Sequence, residues 1–123
     1  MATILSVEDI AENQILMTRK LKREGYTVLT AENGVEALQV TREETIDLIL
    51  MDLEMPVMDG FQATRILKSQ PGTRHVPIIA VTGYVPFRDE AIAAGCDAFH
   101  AKPIDWERLL SLIARLLPAP AAR

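Results

Sequence analysis

A single cysteine, Cys96, stands in a chain of 123 residues, so no intrachain disulfide can form and a reducing cytoplasm fits. Its thiol is expected to be buried and inert. Aromatic residues make up only 5%, which leaves the core to Leu, Ile, Val, Ala and Met. No apolar run approaches the roughly 20 residues needed to span a bilayer. Positive charge is not in excess either: Lys and Arg total 13 against 17 Asp and Glu, a net charge of −4. That balance argues against a nucleic-acid surface, which needs clustered positive charge. The opening stretch, MATILSVEDI, has no basic flank and reads as a first strand rather than a signal peptide. Missing too is a Gly- or Ser/Thr-rich loop after that strand. Glu8 and Asp9 stand where a nucleotide- or flavin-binding module would offer N–H groups to phosphate, and they would repel it unless a metal intervened.

What is present alternates. Five short apolar runs, Thr3–Val7, 27–30, 48–51, 78–81 and Ala98–Ala101, are separated by helical patterns at 11–24, 34–42, 61–69, 89–94 and 105–117. Three of the runs are apolar almost throughout, as parallel strands covered on both faces should be. The second, with Thr27 and Thr30, suits an edge. The last helical pattern is the clearest. Trp106, Leu109, Leu110, Ile113, Leu116 and Leu117 fall on one stripe behind Asp105, a natural N-cap. Gly25 reads as the stop of the first helix. Strict βα alternation predicts an α/β fold, a parallel sheet with right-handed crossovers and helices on both faces. The length supports one domain, with a core at about 3–117 and a loose tail at 118–123.

In such sheets ligands sit at the carboxyl ends of the strands. There the first strand delivers Glu8 and Asp9, the third Asp52, the fourth Thr82, and the fifth Lys102 followed by Pro103. Carboxylates gathered at one edge repel one another unless a cation compensates. Oxygen-only ligands suit a hard divalent ion, Mg²⁺ above all, because it accepts one or two carboxylates, waters and a phosphate oxygen. A lysine and a hydroxyl facing the acids could take the other oxygens of a phosphoryl group. A carboxylate can itself be the nucleophile, giving an aspartyl-phosphate.

Met51-Asp52-Leu53-Glu54-Met55-Pro56-Val57-Met58-Asp59-Gly60 resembles the phosphoacceptor segment of response-regulator receiver domains. Glu8-Asp9, Thr82 and Lys102-Pro103 are similar to that family's other marks and come in the right order. The resemblance covers about residues 3–117. It implies a flavodoxin-like sheet of strand order 2-1-3-4-5 with five helices, acting in two-component signalling. It also implies roles. Asp52 is the phosphoacceptor; Asp9 and Asp52 ligate Mg²⁺ with their carboxylates, Glu54 with its backbone carbonyl, and Glu8 through a water. Lys102 and the Thr82 hydroxyl bind phosphoryl oxygens. The Lys102-Pro103 bond resembles the family's cis peptide, which proline makes accessible, and Phe99 stands at the place of a switch aromatic. The implied donor is a sensor histidine kinase or a His phosphotransfer protein. Output passes through a downstream protein or a phosphate relay, from a monomer or weak dimer. No turnover is implied beyond its own phosphorylation and dephosphorylation. The sequence departs from the family around Val85-Pro86-Phe87, where Thr82 and Lys102 lie closer together than usual. That predicts a short or irregular fourth helix, the least ordered part of the fold and the main signalling surface, with Tyr84, Val85 and Phe87 as an apolar patch.

Each residue also has a plainer reading. Glu8 and Asp9 could cap the first helix, Thr82 could be an ordinary strand residue, Lys102 a solvated loop lysine, and Phe99 core. His75 and His100 have no neighbours at metal-ligand spacing and are expected at the surface, His100 facing away from Phe99. Gly83 is expected to leave room beside the phosphoryl pocket. A phosphatase resembling the haloacid dehalogenase group would place a second Asp where Glu54 stands and a Thr where Pro56 stands. An interaction module that had lost phosphorylation should lack one of Asp52, the acid pair and Lys102, and all are present.

Overall fold

The computed structural model describes residues 2–117; the tail expected at 118–123 lies outside the described residues. The elements run β1 (Thr3–Val7), α1 (Ala11–Arg23), β2 (Thr27–Ala31), α2 (Gly34–Glu43), β3 (Leu48–Asp52), α3 (Gly60–Ser69), β4 (Ile78–Thr82), α4 (Arg88–Ala94), β5 (Ala98–Ala101) and α5 (Trp106–Leu116). A single 3₁₀ turn at Val85–Phe87 precedes α4. The five strands form one parallel sheet in the order β2-β1-β3-β4-β5. The polar strand, β2, is at the edge as expected.

The sheet buries both faces because its central strands carry no polar alternation. Leu48 and Leu50 point to one side and pack with Ile4, Ile79, Val81, Met17, Leu21, Leu109 and Ile113 under α1 and α5. Ile49 and Met51 point to the other, among Leu5, Val7, Ala37, Leu38, Phe61 and Ala91 under α2, α3 and α4. Burial of each such side chain stabilises by about 1.5–3 kcal/mol, and the largest of them are sealed from solvent. No helix of the described residues is long and apolar enough to cross a membrane.

The ends of the elements differ from the sequence reading where chemistry is carried. β3 reaches Asp52 and β4 reaches Thr82, so both residues are held by the ladder rather than by a loop. Helices α2, α3 and α5 start on side-chain caps, Asn33, Asp59 and Asp105, each accepting an N–H three residues on. Helix α1 ends one residue early, with Glu24 as its C-cap and Gly25 taking the left-handed conformation at φ 94°. The fourth helix is short as expected, at 7 residues. The patch before it is smaller than expected. Tyr84 and Val85 are exposed, but Phe87 turns inward and meets the Phe61 ring edge-on at 5.1 Å.

His100 corrects the sequence reading. His75 is exposed, but His100 is only 1% exposed. It does face away from Phe99, and that side is covered: the first residues of α5 close over it, and its Nε2 accepts the Asp105 N–H at 3.1 Å.

Candidate functional site

Strand order reverses at β1, which has β2 on one side and β3 on the other, and the crevice beyond their carboxyl ends gathers the acids. Oxygens of Glu8, Asp9 and Asp52 lie within 4.8 Å of one another. Glu8 and Asp52 are buried, Asp9 exposed. Lys102 reaches in from the end of β5, with Nζ 2.9 Å from Glu8 Oε1 and 3.8 Å from Asp52 Oδ2. Its own N–H is fixed on the Thr82 carbonyl at 2.8 Å, and the Lys102-Pro103 peptide is cis, as the resemblance implied.

One ammonium does not balance three carboxylates. Burial, followed by its hydrogen bond with Glu8 and the Glu8 charge, pushes Asp52 up to about 7, against the pull of the Glu54 N–H and Lys102. Burial would raise Glu8 too, but hydrogen bonds from Asp52, Lys102 and the Ile10 N–H outweigh it and hold Glu8 below the usual carboxylate value. With no cation present, Asp52 therefore holds its proton up to about pH 7 while Glu8 keeps its charge. Burial opposes the charge on Lys102, yet the bond to Glu8 and the charges of Asp52, Glu8 and Asp9 raise it, so it stays an ammonium. An all-oxygen donor set with surplus negative charge, two of its acids buried, fits a hard divalent cation.

The capping role considered for Glu8 is met in part. Its Oε2 accepts the Ile10 N–H at 3.2 Å, although Ile10, the N-cap of α1, has no side-chain cap of its own. Gly60 is required here, because a Cβ on it would collide with the Asp52 carbonyl oxygen. Gly83 is not required for space, since a Cβ there would meet nothing within 4 Å. Phe99 is half-buried and packs toward α2, α3 and α4, on the opposite side of the sheet from His100.

Two features were not foreseen. The Thr82 hydroxyl donates to the Glu54 carboxylate at 3.0 Å and accepts the Tyr84 N–H at 3.3 Å, so the Glu54 side chain, not only its carbonyl, belongs to the site. Gln14 spans the ends of β1 and β2, its Nε2 lying 3.0 Å from the Ser6 carbonyl and 3.1 Å from that of Ala31. No spacing in the sequence signals either contact. Beside the acids a cavity of about 330 Å³ is walled by Leu16, Met17, Val81, Ile104 and Trp106.

The chain is 37% identical over 117 residues to the polar-differentiation response regulator DivK of Brucella anthropi, covering 94% of this chain and 95% of the relative. Its fold matches the chemotaxis response regulator CheY4 of Vibrio cholerae with a TM-score of 0.89 and 32% identity, over 95% of this chain and 99% of that one. It also matches the receiver domain of a Pseudomonas aeruginosa sensor histidine kinase, solved with a magnesium ion in its active-site cleft, at a TM-score of 0.87 and 35% identity, over 94% and 96% of the two chains. Residues 4–114 fit the family described as the response regulator receiver domain. With the strand order, the acid crevice and the facing lysine in place, the chain belongs to the response-regulator receiver family of two-component signalling.

Proposed function

We propose that this receiver accepts a phosphoryl group on Asp52 from a sensor histidine kinase or a His phosphotransfer protein. The observation that carries the reading is the placement of Asp52 at the end of β3, inside the acid crevice and 3.8 Å from the Lys102 ammonium. Mg²⁺ would be held by the carboxylates of Asp9 and Asp52 and the Glu54 carbonyl, with Glu8 acting through a water. Bound there, the ion supplies charge neutralisation for the acids and the incoming phosphoryl group. The ionised Asp52 oxygen attacks phosphorus; the O–P bond forms as the N–P bond of the donor phosphohistidine breaks, and the donor nitrogen keeps the electron pair. Lys102 and Thr82 take the remaining charge on the phosphoryl oxygens.

To reach that oxygen, Thr82 must leave Glu54. Tyr84, whose N–H is bonded to the Thr82 hydroxyl, moves with it. Phe99 turns into the space, and the exposed Tyr84, Val85 and Ile92 surface near α4 changes shape for a downstream protein. The domain thus turns over only its own aspartyl-phosphate. Ile10, Ile15 and Leu16 are exposed apolar residues at and near the start of α1, beside the acids, and suit the approach of the donor protein.

The test is incubation with a small phosphodonor and Mg²⁺. One acid-stable, base-labile phosphate should be incorporated per chain, and Asp52→Ala should take up none. Equal labelling of that variant would overturn the assignment.

A further inference from the structure

His100 is a buried titratable group that the proposed chemistry leaves unused. It lies on β5 with Val81 as its register partner on β4, under the start of α5. Its Nε2 accepts the Asp105 N–H, so in the neutral ring the proton is on Nδ1. That atom is buried and has no hydrogen-bond partner among the described residues. Leaving it unpaired is unfavourable, and a leucine would fill this apolar side of the sheet without that cost. Packing alone is therefore a poor account of a histidine here.

The hydrogen bond pins a loop. Only three residues, Lys102, Pro103 and Ile104, separate β5 from Asp105, the N-cap of α5. One end is held by the Lys102 N–H on the Thr82 carbonyl at 2.8 Å, the other by the Asp105 N–H on His100 at 3.1 Å. Between these two anchors the chain presents the Lys102 side chain to Glu8 and Asp52. We propose that His100 is a positioning residue for phosphoryl transfer: its neutral ring fixes the loop that aims Lys102, and its protonation releases that loop.

Protonation would put a second N–H on Nε2, facing the amide N–H that it had accepted. The charged groups acting on the ring are Asp105 and Arg108, while Val81 brings none. Burial, then Arg108, hold His100 below its ordinary value of 6.5 against the opposing pull of Asp105, so release belongs to the acid side of that value.

The inference rests on the reading of Asp52 as phosphoacceptor. Its test follows the rate of phosphate incorporation from acetyl phosphate with Mg²⁺, from about pH 5 to 8, in wild type, His100→Gln and His100→Leu. Glutamine can place an acceptor oxygen near the Nε2 position and does not titrate; leucine fills the same space with no acceptor. Ratios to wild type at each pH cancel the titration of Asp52 and of the donor. His100→Gln should match wild type at about pH 8 and pull ahead of it on the acid side of 6.5. His100→Leu should be roughly fivefold slower at every pH above that, the ratio set by one lost hydrogen bond. Its thermal midpoint should stay within a few degrees of wild type, because removing the unpaired Nδ1 offsets the acceptor that the Asp105 N–H loses. A slower variant with an undiminished fold separates positioning from a structural role. Variants that track wild type across the range would overturn the proposal, as would a rate loss in His100→Leu that merely parallels unfolding. A wild type that takes up no phosphate would instead overturn the reading of Asp52 itself.

Discussion

Two lysines hold down opposite edges of the sheet and do different work. At the amino edge Lys68 donates to the carbonyls of Val76 and Arg74 at 2.7 and 3.3 Å and to Asp97 at 2.9 Å. Asp97 in turn accepts the Ile78 N–H at 2.8 Å. One cation meets one carboxylate, and the acceptors left over are neutral carbonyls that close the α3–β4 loop. At the carboxyl edge Lys102 pairs with two buried carboxylates, Glu8 and Asp52, with the exposed Asp9 beside them and, among the described residues, no carbonyl acceptor. The same side chain completes a structure in one place and leaves an electrostatic deficit in the other. Surplus charge of one sign, not the presence of an ion pair, is what marks the working edge.

The largest effect that sharpens this contrast is metal binding. Asp52 is raised from 3.8 to about 7, so the folded protein keeps a proton that the unfolded chain releases. Without metal, its contribution to stability is present at low pH and is lost as pH rises from about 4 to about 7. Glu8 is shifted the other way, below 4.5, so its contribution is lost only as pH falls further, and the neutral window belongs to Asp52. Mg²⁺ binds the ionised form and should reverse the trend. At a hundredfold excess over its Kd it adds about 2.7 kcal/mol. Thermal unfolding in EDTA should show the midpoint falling from about pH 4 to about pH 7, and saturating Mg²⁺ should remove the fall. A metal-free Asp52→Asn protein with the same pH dependence as wild type would mean that the deficit is not centred on Asp52.

Exchanging each lysine for methionine breaks the comparison directly. Lys68→Met strips the α3–β4 loop of its donor and should cost about 1–3 kcal/mol of stability, with phosphate uptake unchanged. Lys102→Met should do the opposite. It leaves the metal-free fold within about 1 kcal/mol of wild type, because the Glu8–Asp52 pair can hold its proton more tightly. It should also abolish the spectral change that phosphorylation brings. Denaturant titration and tryptophan fluorescence, with Trp106 as the reporter next to Lys102 in the cavity wall, measure both. Equal destabilisation by the two variants would mean that the two edges do not differ in this way.

Most of this architecture was legible because it follows from periodicity. Apolar runs such as 48–51 admit no solvent face, and Asp105 announces α5 before its first turn. The acids and Lys102 were legible as well, because each ends an apolar run and strand ends of a parallel sheet converge. Contacts made by side-chain reach were not. Lys68 and Asp97 are joined at a sequence separation of 29, and Thr82 and Glu54 at one of 28; neither has a local signature. His100 was misjudged because a polar residue in a four-residue strand reads as outward-facing. Only the return of α5 over that side of the sheet buries it, and that packing is not written in the strand.

The smallest expected effect concerns how the two edges treat the backbone. Both positive-φ glycines, Gly25 and Gly95, sit in loops at the amino edge, at 94° and 118°, where a missing Cβ makes the conformation free of clash. The carboxyl edge puts Val57 at φ 71° instead, a β-branched residue in the left-handed region. The Met58 N–H returns to the Pro56 carbonyl at 2.9 Å, closing a three-residue turn of the strained, positive-φ kind around it. Packing at 82% exposure does not hold Val57 there. What does hold it is its neighbour: the Met58 carbonyl accepts the Gly34 N–H at 3.0 Å, and the Met58 side chain lies against Gly34, which ties the loop to the start of α2. Val57→Gly should relieve about 1–2 kcal/mol of left-handed strain and give back about 0.5–1 through a freer unfolded chain. The net gain is then about 0–1.5 kcal/mol, or up to several degrees in the thermal midpoint. Val57→Ala, which keeps a Cβ but loses the branch, should fall between the two. If the glycine variant instead unfolds at a lower temperature than wild type, the turn is not under strain, and the two edges do not differ in how they treat the chain.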